Sequence, residues 1–192
     1  MSPMKIHFSW NWALVLVSIL YAPTLQSKAD WQMQKKSMAE KPTLSGKSGN
    51  YETTIFVKTG IEDAWEKLTA YESMVGIMPD IKDAKVVKRR GNRVLLRQVY
   101  QAPYTFGLPI RVLLEVNENR PSKMSYSLIN GDMMRSLGGV WSITPEKGGV
   151  RLIHQVKIEP ILPDAIRPLY DKLSTKNLTQ SMSILKSVME KD

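Results

Sequence analysis

The stretch RVLLRQVYQAPYTFGLPIRVLLEVNENRPSKMSYSLIN, residues 93–130, decides how this chain folds. Val94, Leu96, Gln98 and Tyr100 share one face of an extended segment. So do Val112, Leu114 and Val116 in the next, then Met124, Tyr126 and Leu128 in the third. A period of two marks a half-buried strand, because successive side chains point to opposite faces. The opposite faces carry Arg97, Arg111, Glu115 and Lys123, so one side meets a core and the other meets water. Turn formers at Ala102-Pro103 and Asn119-Arg120-Pro121 separate the three segments at the spacing of an antiparallel meander.

The pattern extends in both directions. Strands are expected at about 82–90, 93–102, 107–118, 122–130, 136–145 and 150–159, with further turns at Gly91-Asn92, Gly131-Asp132 and Gly148-Gly149. Trp141 with Ile143, and Leu152, His154, Val156 and Ile158, complete the apolar face. A first strand comes earlier, where Tyr51, Thr53, Ile55 and Val57 alternate with polar neighbours. Thr59-Gly60-Ile61-Glu62 then fits a capping box, and Ile61, Ala64, Trp65, Leu68 and Tyr71 recur at helical spacing. A second short helical piece runs from Glu72 to Met78 and stops at Pro79. From about Pro163 to Glu190 a long amphipathic helix is expected, with Ile166, Leu169, Tyr170, Leu173, Asn177, Met182, Leu185 and Val188 on one stripe. Pro168 falls in its first turns, where a missing N–H costs little. The fold class is therefore α+β: a seven-stranded antiparallel curved sheet wrapped around a long C-terminal helix, with two short helices after the first strand. A twisted sheet cannot bury its apolar face alone, so the helix covers it. Curvature then leaves an apolar cavity between the two, the default binding site of a domain without other chemistry.

The N-terminal segment reads as an address. Lys5 precedes the apolar run from Trp12 to Ala22, which is about half of what a bilayer-spanning helix needs. Pro23 breaks it, and Ser27-Lys28-Ala29 offers small residues for a signal peptidase. The expected organisation is a signal peptide over 1–29, a flexible tether over 30–49 and a ligand-binding domain over 50–192; an uncleaved membrane anchor is the other reading of the first segment. Cleavage after Ala29 removes Lys5 and Lys28 and no acidic residue, taking the net charge from +9 to +7, and leaves His154 as the single histidine. The chain has no cysteine, which excludes disulfides, thiolate metal sites and a cysteine nucleophile. A bacterial periplasmic or secreted location is expected. Export also argues against nucleic-acid binding, in spite of the basic charge.

Ile61-Glu-Asp-Ala-Trp65 with Leu68, Tyr71-Glu-Ser-Met74, Met78-Pro-Asp-Ile81, Gly139-Val-Trp141-Ser-Ile143 and the closing Glu159-Pro-Ile-Leu-Pro163 resemble the START-like (SRPBCC, helix-grip) superfamily. Within it they resemble most the polyketide cyclase/dehydrase and coenzyme Q-binding protein branch. The resemblance covers about residues 50–190. It implies that a lipid, isoprenoid or polyketide-like molecule is held between sheet and helix; an export signal departs from the branch's familiar cytoplasmic and mitochondrial members.

Catalytic machinery is sparse. HExxH, CxxC, GxSxG and EF-hand patterns are absent, and one histidine cannot build an imidazole metal site. No cofactor and no metal are expected. Gly46-Lys47-Ser48 echoes the end of a phosphate-binding loop, but Lys41 stands where that loop needs Gly. The sequon at Asn177-Leu-Thr179 falls within a helix. His154 on the apolar face is either a ligand contact or general base, or a neutral core histidine satisfied by a neighbour such as Tyr126. Gln98, Tyr100 and Asn177 are the other inward polar groups, suited to fixing the polar head of an apolar ligand. Trp65, Met74, Met78, Tyr126, Trp141, Tyr170 and Leu173 form the expected apolar lining. Lys85, Lys88, Arg89, Arg90 and Arg93, together with Lys82, crowd the hairpin around Gly91-Asn92. They suit peripheral contact with an anionic membrane, or simply solvate an edge.

Three functions follow. The first is an exported binding or transport protein for a hydrophobic small molecule. The second is a cyclase or hydrolase acting on a polyketide-like substrate, with His154 and Tyr100 as its catalytic pair. The third is an envelope protein-interaction module. The sequence leans away from an enzyme and leaves the oligomeric state open.

Overall fold

The computed structural model describes residues 40–191. The expected signal peptide and the first half of the expected tether lie outside the described residues.

Eight strands form one antiparallel sheet: β1 Thr43–Lys47, β2 Asn50–Val57, β3 Ile81–Arg90, β4 Arg93–Tyr100, β5 Ile110–Asn119, β6 Lys123–Gly131, β7 Met134–Glu146 and β8 Gly149–Pro160. Their spatial order is β1-β2-β8-β7-β6-β5-β4-β3. Six strands run as the meander expected from alternation. The chain reaches it by leaving β2, passing through helix α1 (Ile61–Thr69) and a 3-10 turn at Tyr71–Met74, and starting again at the far edge. After β8, a 3-10 turn at Asp164–Ile166 leads into helix α2, Arg167–Met189. Its 23 residues span about 34 Å at about 1.5 Å each, enough to cross the concave face. Pro168 sits in its first turn, as the sequence predicts.

Three expectations need correction. The sheet has eight strands rather than seven, because Thr43–Lys47 of the expected tether pairs with β2, Thr43 opposite Thr54 and Lys47 opposite Asn50. Leu44 is the one apolar residue in β1, and its backbone pairing, not its side chains, makes it a strand. The phosphate-loop look-alike is the turn of this hairpin. Gly46 and Gly49 have φ of 97° and 81°, and a Cβ on Gly46 would stand 2.1 Å from the Asn50 carbonyl oxygen. Second, α1 starts without the expected capping box: Gly60 is its N-cap and no side chain bonds the first turn. Glu62 and Asp63 still complement the positive end of its dipole. Third, the helical piece expected from Glu72 to Met78 is only the 3-10 turn. That turn is fastened by side chains. The Tyr71 hydroxyl donates to Glu118 Oε1 at 2.6 Å, and Arg89 grips the same carboxylate at 2.6 and 3.1 Å. The Val86 amide donates to Glu72 Oε1 at 3.0 Å.

The core lies between the concave face and the helices, with Ile55, Leu152, Met182, Val94 and Val112 among its fully buried side chains. The C-terminal end of α2 is locked to β2. Buried Lys186 donates from Nζ to the Phe56 carbonyl and to Glu190 Oε1, both at 2.7 Å, and the Lys58 amide donates to that same oxygen at 2.8 Å.

Candidate functional site

Between the concave face and α2 lies a cavity of about 200 Å³, adjoined by a second lobe of about 160 Å³. Met78, Ile81, Tyr100, Tyr126, Trp141, His154 and Leu185 border both. The reason for the space lies on α2. Tyr170, Ser174, Asn177, Ser181 and Leu185, at helical spacing, face the cavity. Leu178 and Met182 line it too, but Ser174, Asn177 and Ser181 are small or polar where a packed core carries large apolar side chains, so helix and sheet do not fill the space between them.

On the sheet side, one missing side chain organises the wall. Tyr126 on β6 is paired with Gly139 on β7, and Trp141 on β7 is paired with His154 on β8. A Cβ on Gly139 would stand 2.7 Å from the Tyr126 hydroxyl and 2.4 Å from the Gln155 carbonyl oxygen. With only hydrogen there, Tyr126 lies across β7 and its hydroxyl reaches His154 Nε2 at 2.8 Å. The imidazole stacks on Trp141, with centroids 3.9 Å apart and planes 4° apart. Burial pushes the His154 pKa down to about 3, so the ring is neutral. Burial pushes the Tyr126 hydroxyl far up, and the Tyr100 hydroxyl as well, with the charge of Asp80 adding to the latter. Tyr100 donates to Gln98 Oε1 at 2.6 Å. His154 and Tyr100 thus border the same cavity, but each is hydrogen-bonded to a different partner. A base that weak, held by a phenol, is poorly matched to proton transfer near neutral pH.

Met78, Tyr100, Tyr126, Trp141 and His154 line both lobes; Tyr170 and Asn177 line the larger, Met74 and Gln98 the smaller. Two expected lining residues do not. Trp65 is buried in the core on the inner side of α1. Leu173 lies off the cavity side of α2, one residue from Ser174. Sequence reasoning missed Asp80, buried at the cavity wall and accepting a hydrogen bond from Asn177 Nδ2 at 3.0 Å. A carboxylate that directly follows a proline reads as a loop residue, so only its burial exposes it. Also missed were Phe106 and Met133, which line the cavity while 44% exposed, both with φ near 54°.

The basic hairpin stands elsewhere. The cavity opens at the Tyr100 end of β4, beside Phe106 and Met133. Lys88, Arg89, Arg90 and Arg93 are at the other end, about 23 Å away at about 3.3 Å per residue; Lys85 lies partway, opposite Arg97 on the outer face. Arg89 is already committed to Glu118.

Residues 58–181 match the family of polyketide cyclases/dehydrases and lipid transport proteins. The chain belongs to this family. No curated protein matches the sequence. Several solved structures share the helix-grip fold. One is a protein from Thermus thermophilus, with TM-score 0.65 and 20% identity over 72% of this chain and 94% of that one. Another is the Zhui aromatase/cyclase from Streptomyces, with TM-score 0.66 and 12% identity over 73% and 93%. A third is a STAR-related lipid transfer protein from Xanthomonas axonopodis, with TM-score 0.60 and 13% identity over 79% and 100%. The family's description names polyketide cyclases, dehydrases and lipid transport, and these neighbours share the fold. The assignment agrees with the resemblance carried by the Ile61–Trp65, Met78–Ile81 and Gly139–Ile143 motifs.

Proposed function

We propose that this protein binds a hydrophobic small molecule (a lipid, isoprenoid or polyketide-like compound) between the sheet and α2, and carries it without covalent chemistry. The observation that carries the proposal is the cavity itself, apolar for most of its wall and kept open by Ser174, Asn177 and Ser181 on the helix. A ligand burying about 300 Å² of apolar surface gains roughly 7 kcal/mol before association costs. The lipid transfer neighbour and the family's lipid transport description support this use, while the weak, already bonded His154 favours binding over acid–base catalysis. Export after cleavage near Ala29 belongs to the same proposal. So does peripheral membrane contact through the basic hairpin, at the end away from the mouth.

The test uses the full-length protein and the fluorescent apolar probe phenylnaphthylamine, with organic extraction of the freshly purified protein alongside. Ser181→Leu projects a larger apolar side chain into the cavity. The expected result is saturable probe binding by the wild type, weakened at least about tenfold in the variant, which stays equally or more stable. Wild type that neither binds the probe nor releases an apolar compound on extraction sinks the proposal.

A further inference from the structure

Two hydrogen-bonded pairs supply the polar groups of the smaller lobe. Gln98 and Tyr100 on β4 form one, Tyr126 on β6 with His154 on β8 the other, and all four side chains border the lobe. Tyr71 reaches it too, but its hydroxyl is taken up by Glu118 and Met124. The rest of the wall is aliphatic or thioether, with Trp141 stacked on His154. The cluster is short of acceptors. Gln98 and Tyr100 carry three donor hydrogens, two on the amide and one on the phenol. One bond of 2.6 Å joins them, so two hydrogens remain whichever group donates. Burial keeps His154 neutral, so its ring carries one N–H and Tyr126 one O–H; the bond between them leaves one hydrogen over. No other acceptor among the described residues takes these hydrogens, and Gln98 and His154 are only 6% and 8% exposed. A buried donor without an acceptor is rarer and costlier than a half-used acceptor. The two pairs also sense each other: burial first, and then the Tyr100 phenol, push the Tyr126 hydroxyl up.

We infer that the ligand presents a neutral hydrogen-bond acceptor, a ketone or ester carbonyl, to Gln98 and His154 in the smaller lobe, while its apolar remainder fills the larger lobe toward the mouth at Phe106 and Met133. The inference rests on the cavity being the binding site, and adds which end of the ligand lies deepest. A carbonyl oxygen has two lone pairs and no hydrogen, so it satisfies donors from both pairs without adding another. A hydroxyl brings a hydrogen of its own. A carboxylate would shed its water with no cation to receive it, because among the described residues neither lobe is lined by Lys or Arg. Gln98 and His154 are thus positioned to set the orientation of a molecule whose affinity comes from its apolar surface.

The experiment displaces phenylnaphthylamine from the full-length protein near neutral pH with acetylnaphthalene, ethylnaphthalene and naphthoate, all substituted at the same ring position. Relative to partition into cyclohexane, which offers no hydrogen bonds, the ketone should gain at least about tenfold over the hydrocarbon in wild type. Gln98→Met and His154→Phe keep the approximate size and remove donors, and each should reduce that gain at least about threefold. The gain is a ratio within one protein, so a general change in affinity cancels. The infrared carbonyl stretch of bound, isotope-labelled acetylnaphthalene reads the contact directly, and in wild type it decides even where a variant does not fold. It should lie below its frequency in cyclohexane and move back toward that value in either variant. A cyclohexane-like stretch in wild type, a lowered stretch unchanged in both variants, or displacement by naphthoate at or below the concentrations of the ketone overturns the inference while leaving the cavity as a binding site. Failure of the probe to bind wild type overturns both.

Discussion

His154 makes stability depend on pH in a way that can be worked out from its surroundings. Its pKa lies at about 3 in the folded protein against an ordinary 6.5. The unfolded chain therefore binds a proton at a higher pH than the folded one does. Stability is fully present above about pH 6.5, declines as pH falls toward 3 and levels off below. At one pKa unit to about 1.4 kcal/mol, the whole window is worth about 5 kcal/mol, and the part between pH 7.5 and pH 5.0 about 2 kcal/mol. That upper part lies above most carboxylate titrations, and His154 is the only histidine among the described residues, so the signal belongs to one group. Equilibrium denaturation at pH 7.5, 6.5, 5.5 and 5.0 reads it directly. Wild type should lose about 2 kcal/mol across the series, or about 4–8 °C in thermal midpoint. His154→Gln, which can still bond the Tyr126 hydroxyl but does not titrate, should start less stable for want of the Trp141 stack and then hold nearly level. Parallel slopes for the two proteins would refute the reasoning, since the pH dependence would then come from groups other than the buried imidazole.

Two further outcomes concern the frame around the site. Gly139→Ala places a methyl group 2.4 Å from the Gln155 carbonyl oxygen and 2.7 Å from the Tyr126 hydroxyl, and should cost about 2–3 kcal/mol. Gly138→Ala, whose nearest neighbour is the Tyr126 carbonyl oxygen at 3.1 Å, should cost clearly less; equal thermal midpoints for the pair would remove the packing argument. Lys186→Met deletes the ammonium group that donates to both the Phe56 carbonyl and Glu190. It should lower denaturant stability by about 2 kcal/mol, whereas exposed Lys67→Met should change it by less than about 0.5 kcal/mol.

Most of the sheet was legible because alternation is a local property. Each strand of the meander announces its inward face by a period of two, and Tyr126, Trp141 and His154 follow from that reading without any knowledge of neighbours. β1 was not legible for the same reason: Thr43–Lys47 holds a single apolar side chain, and its extended form comes from the ladder with β2. The site was legible on the strands and much less so elsewhere. Ser174 and Ser181 went unnoticed because a search for apolar stripes passes over serines, although it is their small size at cavity-facing positions of α2 that leaves the volume open.

By itself, the sequence determined an α+β chain whose strands turn one apolar face to a long closing helix, with neither cysteine nor a histidine cluster to support metal or thiol chemistry. Only the tertiary structure decided which buried residues border space and which fill it. Trp65 and Trp141 both read as apolar lining in the sequence, yet one packs into the core from the inner side of α1 and the other lines the cavity. Asp80 shows the same limit from the polar side. A cavity is the distance left between two surfaces, and that distance depends on side chains far apart in the chain: Gly139, which lets Tyr126 lie flat, and the serines of α2, which hold the helix face short of the sheet.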